Sequence, residues 1–173
     1  MKSEQLRLGF LETLEIEGRG YVGGLLITNN FGRPLEFQCT TPVKPNRPQE
    51  ILYGGSLLPW LLGELIGGTL LERVSIKPDL VVTSDPDILE LRNHTQIPVV
   101  CALAEQEPDG IPVTPGSTMR FGGQRLRFHD AHPVDADRLA GQRHLIPDQA
   151  DLTEPLERVR EALAETVRTV FAR

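Results

Sequence analysis

The stretch KPDLVVTSDPDILELRNHTQIPVVCALAE, residues 77–105, decides the fold. It holds two short apolar runs, DLVVT (79–83) and IPVVCAL (97–103). Each has the length of a buried strand and is rich in β-branched residues. Between them DPDILELRNH (85–94) reads as a short helix, with Pro86 in its first turn. Two buried strands joined through a helix form a crossover with the strands parallel, because a hairpin would need only a tight turn. The domain is therefore expected to be α/β.

Towards the N-terminus the pattern changes to an antiparallel meander. LGFLETLEI (8–16) and YVGGLLITN (21–29) are separated by the Gly-rich turn EGRG, and PLEFQCT (34–40) follows NFGR. In the third run Leu35, Phe37 and Cys39 alternate with Glu36, Gln38 and Thr40, the pattern of a half-buried strand. TPVKPNRP (41–48) is an extended loop, with Asn46 or Arg47 near a helix cap and Pro48 in the first turn. The helix that follows runs to about Glu72, and Pro59 should kink or split it. It carries apolar residues on nearly all sides.

Towards the C-terminus EQEPDGIPVTPGS (105–117) reads as a loop. TMRFGGQRLRFHD (118–130) reads as a hairpin turning at Gly122-Gly123. Pairing residue 121 with 124 puts Met119, Phe121, Leu126 and Phe128 on one face. Thr118, Arg120, Arg125, Arg127 and His129 fall on the other. LTEPLERVREALAETVRTVFAR ends the chain as an amphipathic helix with the stripe Leu156, Val159, Leu163, Val167 and Val170. The expected layout is a single α/β domain over 1–150. The helix in 151–173 would dock on that domain or on a partner.

The order of three strands, helix, strand, helix, strand over residues 8 to 103 is similar to cytidine-deaminase-like and JAB-type domains. The resemblance is one of topology. Where zinc deaminases carry H-x-E and P-C-x-x-C, this chain reads NRPQE and DPDILE. The H-x-H zinc motif of JAB domains is absent too, so the resemblance implies no such zinc chemistry.

Composition narrows the classes. The 173 residues are 39% hydrophobic and 24% charged, with a formal net charge of −6. That balance argues against general nucleic-acid binding, which rests on cations displacing phosphate counterions. It argues equally against an anionic membrane surface. Cys39 and Cys101 stand far apart and read as reduced thiols. The N-terminus lacks a signal-peptide core, and the apolar stretch 57–71 is too short and too broken to span a bilayer. A cytoplasmic location is expected.

Candidate sites are few. RFHDAHPVDAD (127–137) collects two histidines and three aspartates within nine positions. If the strand continued through residue 130, His129 and Asp130 would face opposite ways. Asp130 and His132 could then share a metal, but only with ligands from elsewhere. Asp135 or Asp137 suits a helix cap. GRGYVG (18–23) matches a dinucleotide fingerprint in letters, but a strand follows it where a helix is needed, so a tight turn is expected. Ser84 or Asp85 can cap the crossover helix, and both also stand where ligands of open α/β sheets collect. Arg120, Arg125, Arg127 and His129 form a cationic face able to meet an acidic partner or a phosphate.

No catalytic constellation stands out and no cofactor is implied. The leading expectation is a non-catalytic cytoplasmic domain that binds a protein partner or a second copy of itself. The alternative is an enzyme or small-molecule-binding domain using the strand ends near Ser84 and Asp85, with a divalent metal at Asp130 and His132 as an added element.

Overall fold

The computed structural model of the protein describes residues 5–103, 118–121 and 123–171. The proline-containing loop 105–117 and Gly122 of the hairpin turn lie outside the described residues. Seven strands form one mixed sheet in the order β3-β2-β1-β4-β5-β7-β6. They are β1 Leu8–Ile16, β2 Gly20–Thr28, β3 Pro34–Cys39, β4 Leu80–Thr83, β5 Val99–Leu103, β6 Thr118–Phe121 and β7 Gln124–Phe128. β1, β4 and β5 run parallel, and every other pairing is antiparallel. The crossover in residues 77–105 therefore forms as the sequence implies. β4 joins β1, the first strand of the meander, rather than β3, so the parallel core lies in the middle of the sheet.

Local chemistry accounts for the meander. Gly18 and Gly20 take positive φ in the first turn, and Gly32 does so in the second. The GRGYVG glycines thus serve the turn and close packing. A Cβ on Gly20 would meet the Val43 carbonyl oxygen at 2.1 Å, and one on Gly23 would meet Ile66 at 2.2 Å.

Both faces of the sheet are covered. On one, Leu8, Phe10, Val82, Val100, Leu126 and Phe128 pack against Leu156, Val159 and Leu163 of helix α4, Glu154–Thr166. On the other, Leu11, Leu25, Ile27, Val81, Val99 and Cys101 pack against Leu61, Leu62, Ile66 and Leu70. The latter residues belong to a π-helical segment, Pro59–Gly67, which continues into helix α2, Gly68–Arg73. Helix α1, Arg47–Tyr53, opens with a capping box between Asn46 and Gln49. The chain turns by 102° between the α1 arm and the arm that starts at Pro59. No single helix among the described residues is long and apolar enough to cross a membrane.

Two local expectations are corrected. Asp135 does not cap helix α3, Val134–Ala140; it is fully buried and grips the Arg92 guanidinium through both oxygens, at 2.7 and 3.2 Å. The strand does not continue to residue 130 either: β7 stops at Phe128 and the backbone turns, with the His132 N–H donating to the His129 carbonyl.

Candidate functional site

Along β1, Leu8, Phe10, Glu12, Leu14 and Ile16 share the face under α4. Four of the five are apolar, and Leu8, Phe10, Leu14 and Ile16 all belong to that core layer. The fifth, Glu12, is only 4% exposed. An ionised carboxylate in such a row is costly unless every lone pair finds a donor. Its oxygens are met from two directions. Oε1 accepts from the Ser84 backbone N–H at 3.0 Å and from the Ser84 hydroxyl at 2.6 Å. Oε2 accepts from Nε of Arg160, which reaches down from α4, at 3.3 Å. Arg160 closes the triangle by donating from Nη2 to Ser84 Oγ at 3.1 Å.

The position in the fold matters as much as the bonds. β1 and β4 pair in parallel, with Phe10 opposite Val82. Two residues further on, Glu12 meets Ser84 just past the carboxyl end of β4, while β1 runs on to Ile16. This is where open α/β sheets present polar groups to ligands. Ser84 is exposed, and the Arg160 side chain is 43% exposed, while Glu12 beneath them is shut off from water. Two guanidinium donors are used here out of five, so Arg160 still presents N–H groups outward.

Asp85 turns to the other face. Its carboxylate accepts from the Asp87 N–H at 2.9 Å, capping the crossover helix Pro86–His94, and its own N–H donates to Thr83 Oγ1. Burial, and then the charge of Asp85, hold the Asp87 carboxyl above the ordinary carboxylate range. Burial, Glu15 and Asp85 likewise raise the Tyr21 phenol.

The histidine-aspartate segment forms a separate cluster. Phe128 pairs with Val100 near the start of β5, whereas Thr83 at the end of β4 pairs with Cys101 further along the same strand. By sheet spacing His129 therefore lies roughly 14 Å from Ser84. His129 and His132 meet edge to face, with ring centroids 5.3 Å apart, over the amide of Asn93. Asn93 Nδ2 lies 3.2 Å from His129 Nε2, and Asn93 Oδ1 lies 2.8 Å from His132 Nε2. His132 is thus brought to His129 and Asn93 rather than to Asp130, which is exposed. Asp130 and His129 instead border a small groove of about 200 Å³ with Asp87, Glu90 and Arg127. Among the described residues no three His, Cys, Asp or Glu side chains are arranged to hold a metal ion.

The hairpin keeps its two faces. Arg120 stands directly opposite Arg125, and Thr118 opposite Arg127, while Phe121, Leu126 and Phe128 are buried. Cys101 is buried as well, at 1% exposure, in the layer under the π-helical segment.

The sequence reading found Ser84 and missed its partners. Glu12 had a signal, an acid interrupting an apolar alternation. Arg160 and Asn93 had none, because each is placed by tertiary packing more than thirty residues from what it touches.

No family model matches the chain, and no curated protein matches it significantly. Among solved structures it is similar to Ciona intestinalis Endonuclease V, a D234N variant in complex with a 23mer DNA containing an inosine followed by a ribo-adenosine. Identity is 10%, the TM-score is 0.43, and the match covers 93% of this chain and 86% of that one. A likeness at this level assigns no residue a role. Two expectations stand against this finding, an endonuclease in complex with DNA, and are not carried further. The non-catalytic domain working through protein contacts or self-association is withdrawn, and so is the exclusion of nucleic acid as a partner. The physical weakness of the second is plain: a net charge of −6 describes the whole chain, whereas binding responds to local charge such as the arginine face of the hairpin.

Proposed function

We propose that this chain is an enzyme or small-molecule-binding domain whose working site is the carboxyl end of β4, beside Glu12 of β1. Ser84 offers the hydroxyl that meets the ligand, Glu12 orients it by accepting its proton at 2.6 Å, and Arg160 supplies the charge for a carboxylate or phosphate group. The observation that carries this reading is the buried Glu12 carboxylate. It joins segments 72 and 148 residues away to one exposed hydroxyl. Stability alone favours an apolar residue at such a position. Asp85 borders the site from the opposite face. Cys39 and Cys101, thiols far apart in the chain, suit a reducing, cytoplasmic setting.

Thermal unfolding of the wild type, Ser84→Ala and Arg160→Gln against a panel of small phosphates and carboxylates tests the reading. A ligand that binds only the native state raises its stability, by about 2.7 kcal/mol at a hundred times its Kd. At least one compound should raise the Tm of the wild type and lose that effect in both variants. If no compound acts, or if all three proteins respond alike, the reading is wrong.

A further inference from the structure

The strand pair β6–β7 carries a charge arrangement that the strand-end site leaves unexplained. Arg120 and Arg125 are direct cross-strand partners, and both are exposed. Arg127 follows two residues along the same face of β7. Like charges set directly opposite in an antiparallel pair destabilise it, since opposed Cβ atoms stand only about 5 Å apart. Ion pairs elsewhere on this molecule neutralise arginines locally, as at Arg92, Arg138, Arg158 and Arg160. Among the described residues no carboxylate forms such a pair with Arg120, Arg125 or Arg127.

The surface beside the pair is concave. Arg120 and Arg125, with Leu103 and Gly123, border a depression of about 280 Å³. Leu103 is the β5 partner of Arg125, so the depression has a rigid floor of paired strands. Two planar guanidinium forks bordering one depression offer donors to the oxygens of a tetrahedral dianion, which can accept from both at once. A compact phosphate fits the volume and removes the repulsion.

We propose that the arginine face of the β6–β7 hairpin is a phosphate-binding site, held by Arg120 and Arg125 and extended along the strand by Arg127. It lies on the sheet face opposite Glu12 and Arg160 and does not rest on the strand-end reading. The phosphate can be free or part of a polynucleotide backbone, and the two sources separate by experiment.

Calorimetric titration of the full chain with inorganic pyrophosphate, and fluorescence anisotropy with a single-stranded 20mer oligonucleotide, are run on four proteins: wild type, Arg125→Gln, Arg120→Gln/Arg125→Gln, and Arg47→Gln, an exposed arginine of α1 outside both sites. The wild type should bind at least one probe, with affinity falling as salt rises. The single variant should lose tenfold or more at this site, and the double variant should lose the site altogether. Arg47→Gln should bind as the wild type does. Pyrophosphate binding identifies a small-phosphate site, and oligonucleotide binding alone identifies a backbone site. Both variants change exposed side chains, and without a ligand their Tm should equal or exceed that of the wild type because the repulsion is gone. The proposal is overturned if neither probe binds, or if Arg120→Gln/Arg125→Gln binds as the wild type does. An equal loss in Arg47→Gln would overturn it too, because binding would then follow overall charge rather than this face.

Discussion

At the scale of single residues, the unusual demands fall on His129 and Asp135. Both ring nitrogens of His129 face donors: the Ala131 N–H lies 3.1 Å from Nδ1, and Asn93 Nδ2 lies 3.2 Å from Nε2. The Asn93 amide is oriented by Glu90, whose carboxylate can only accept, at 3.2 Å. A second ring proton would therefore point at a donor. Burial and then the neighbouring His132 add to this and hold His129 below its ordinary value of 6.5, against the pull of Glu90 and Asp130. The sign for stability follows from linkage. The unfolded chain binds the proton more readily, so stability is complete above pH 6.5 and declines as pH falls from there through the folded value. In melts from pH 8 to pH 5, the wild type should lose more Tm than His129→Gln does; equal slopes would refute this. Asp135 bears the larger energy. It is fully buried against Arg92, itself 6% exposed. Asp135→Asn leaves that guanidinium without a counter-charge, a change expected to cost about 3 kcal/mol or more. Chemical denaturation checks it, and a loss under 1 kcal/mol would contradict a dry pair.

At the scale of elements, what could be read beforehand was whatever local pattern dictates. Alternation in LGFLETLEI and PLEFQCT, the turn glycines and the apolar runs flanking the crossover all describe a residue's own neighbourhood, and those strands form as expected. The hairpin register followed from one turn. What could not be read is decided by distant partners. Asp135 has the spacing of a cap and becomes the mate of Arg92, because α3 packs beside the crossover helix. Pro59 announces a break but not its size, since the 102° turn depends on where the second arm finds its sheet. Gly23 is the clearest case of an element fixed by approach. Gly23→Ala should cost about 2 kcal/mol, because the added Cβ would sit 2.2 Å from Ile66. Gly55→Ala meets nothing within 4 Å and should stay within about 0.5 kcal/mol of the wild type. Equal effects in denaturation would show that the π-helical arm does not press on β2.

At the scale of the whole molecule, insertion of β4 beside β1 creates the candidate site. A meander alone would leave Glu12 facing water or forbid it. With β4 alongside and α4 above, the acid is enclosed, and its remaining outlet is through Ser84 and Arg160 to the carboxyl edge. Ser84 was legible as a strand-end residue; the triangle around it was not, since it needs three segments brought together by the complete sheet. The central claim is that this arrangement serves a ligand rather than stability. Apolar replacement of a buried ion pair is often neutral or stabilising by about 1–4 kcal/mol. The most direct measurement is therefore the unfolding temperature of Glu12→Leu/Arg160→Leu, which completes the row of Leu8, Phe10, Leu14 and Ile16. The Tm of this double variant should equal or exceed that of the wild type. A fall of several degrees would contradict it and make the buried acid a structural element.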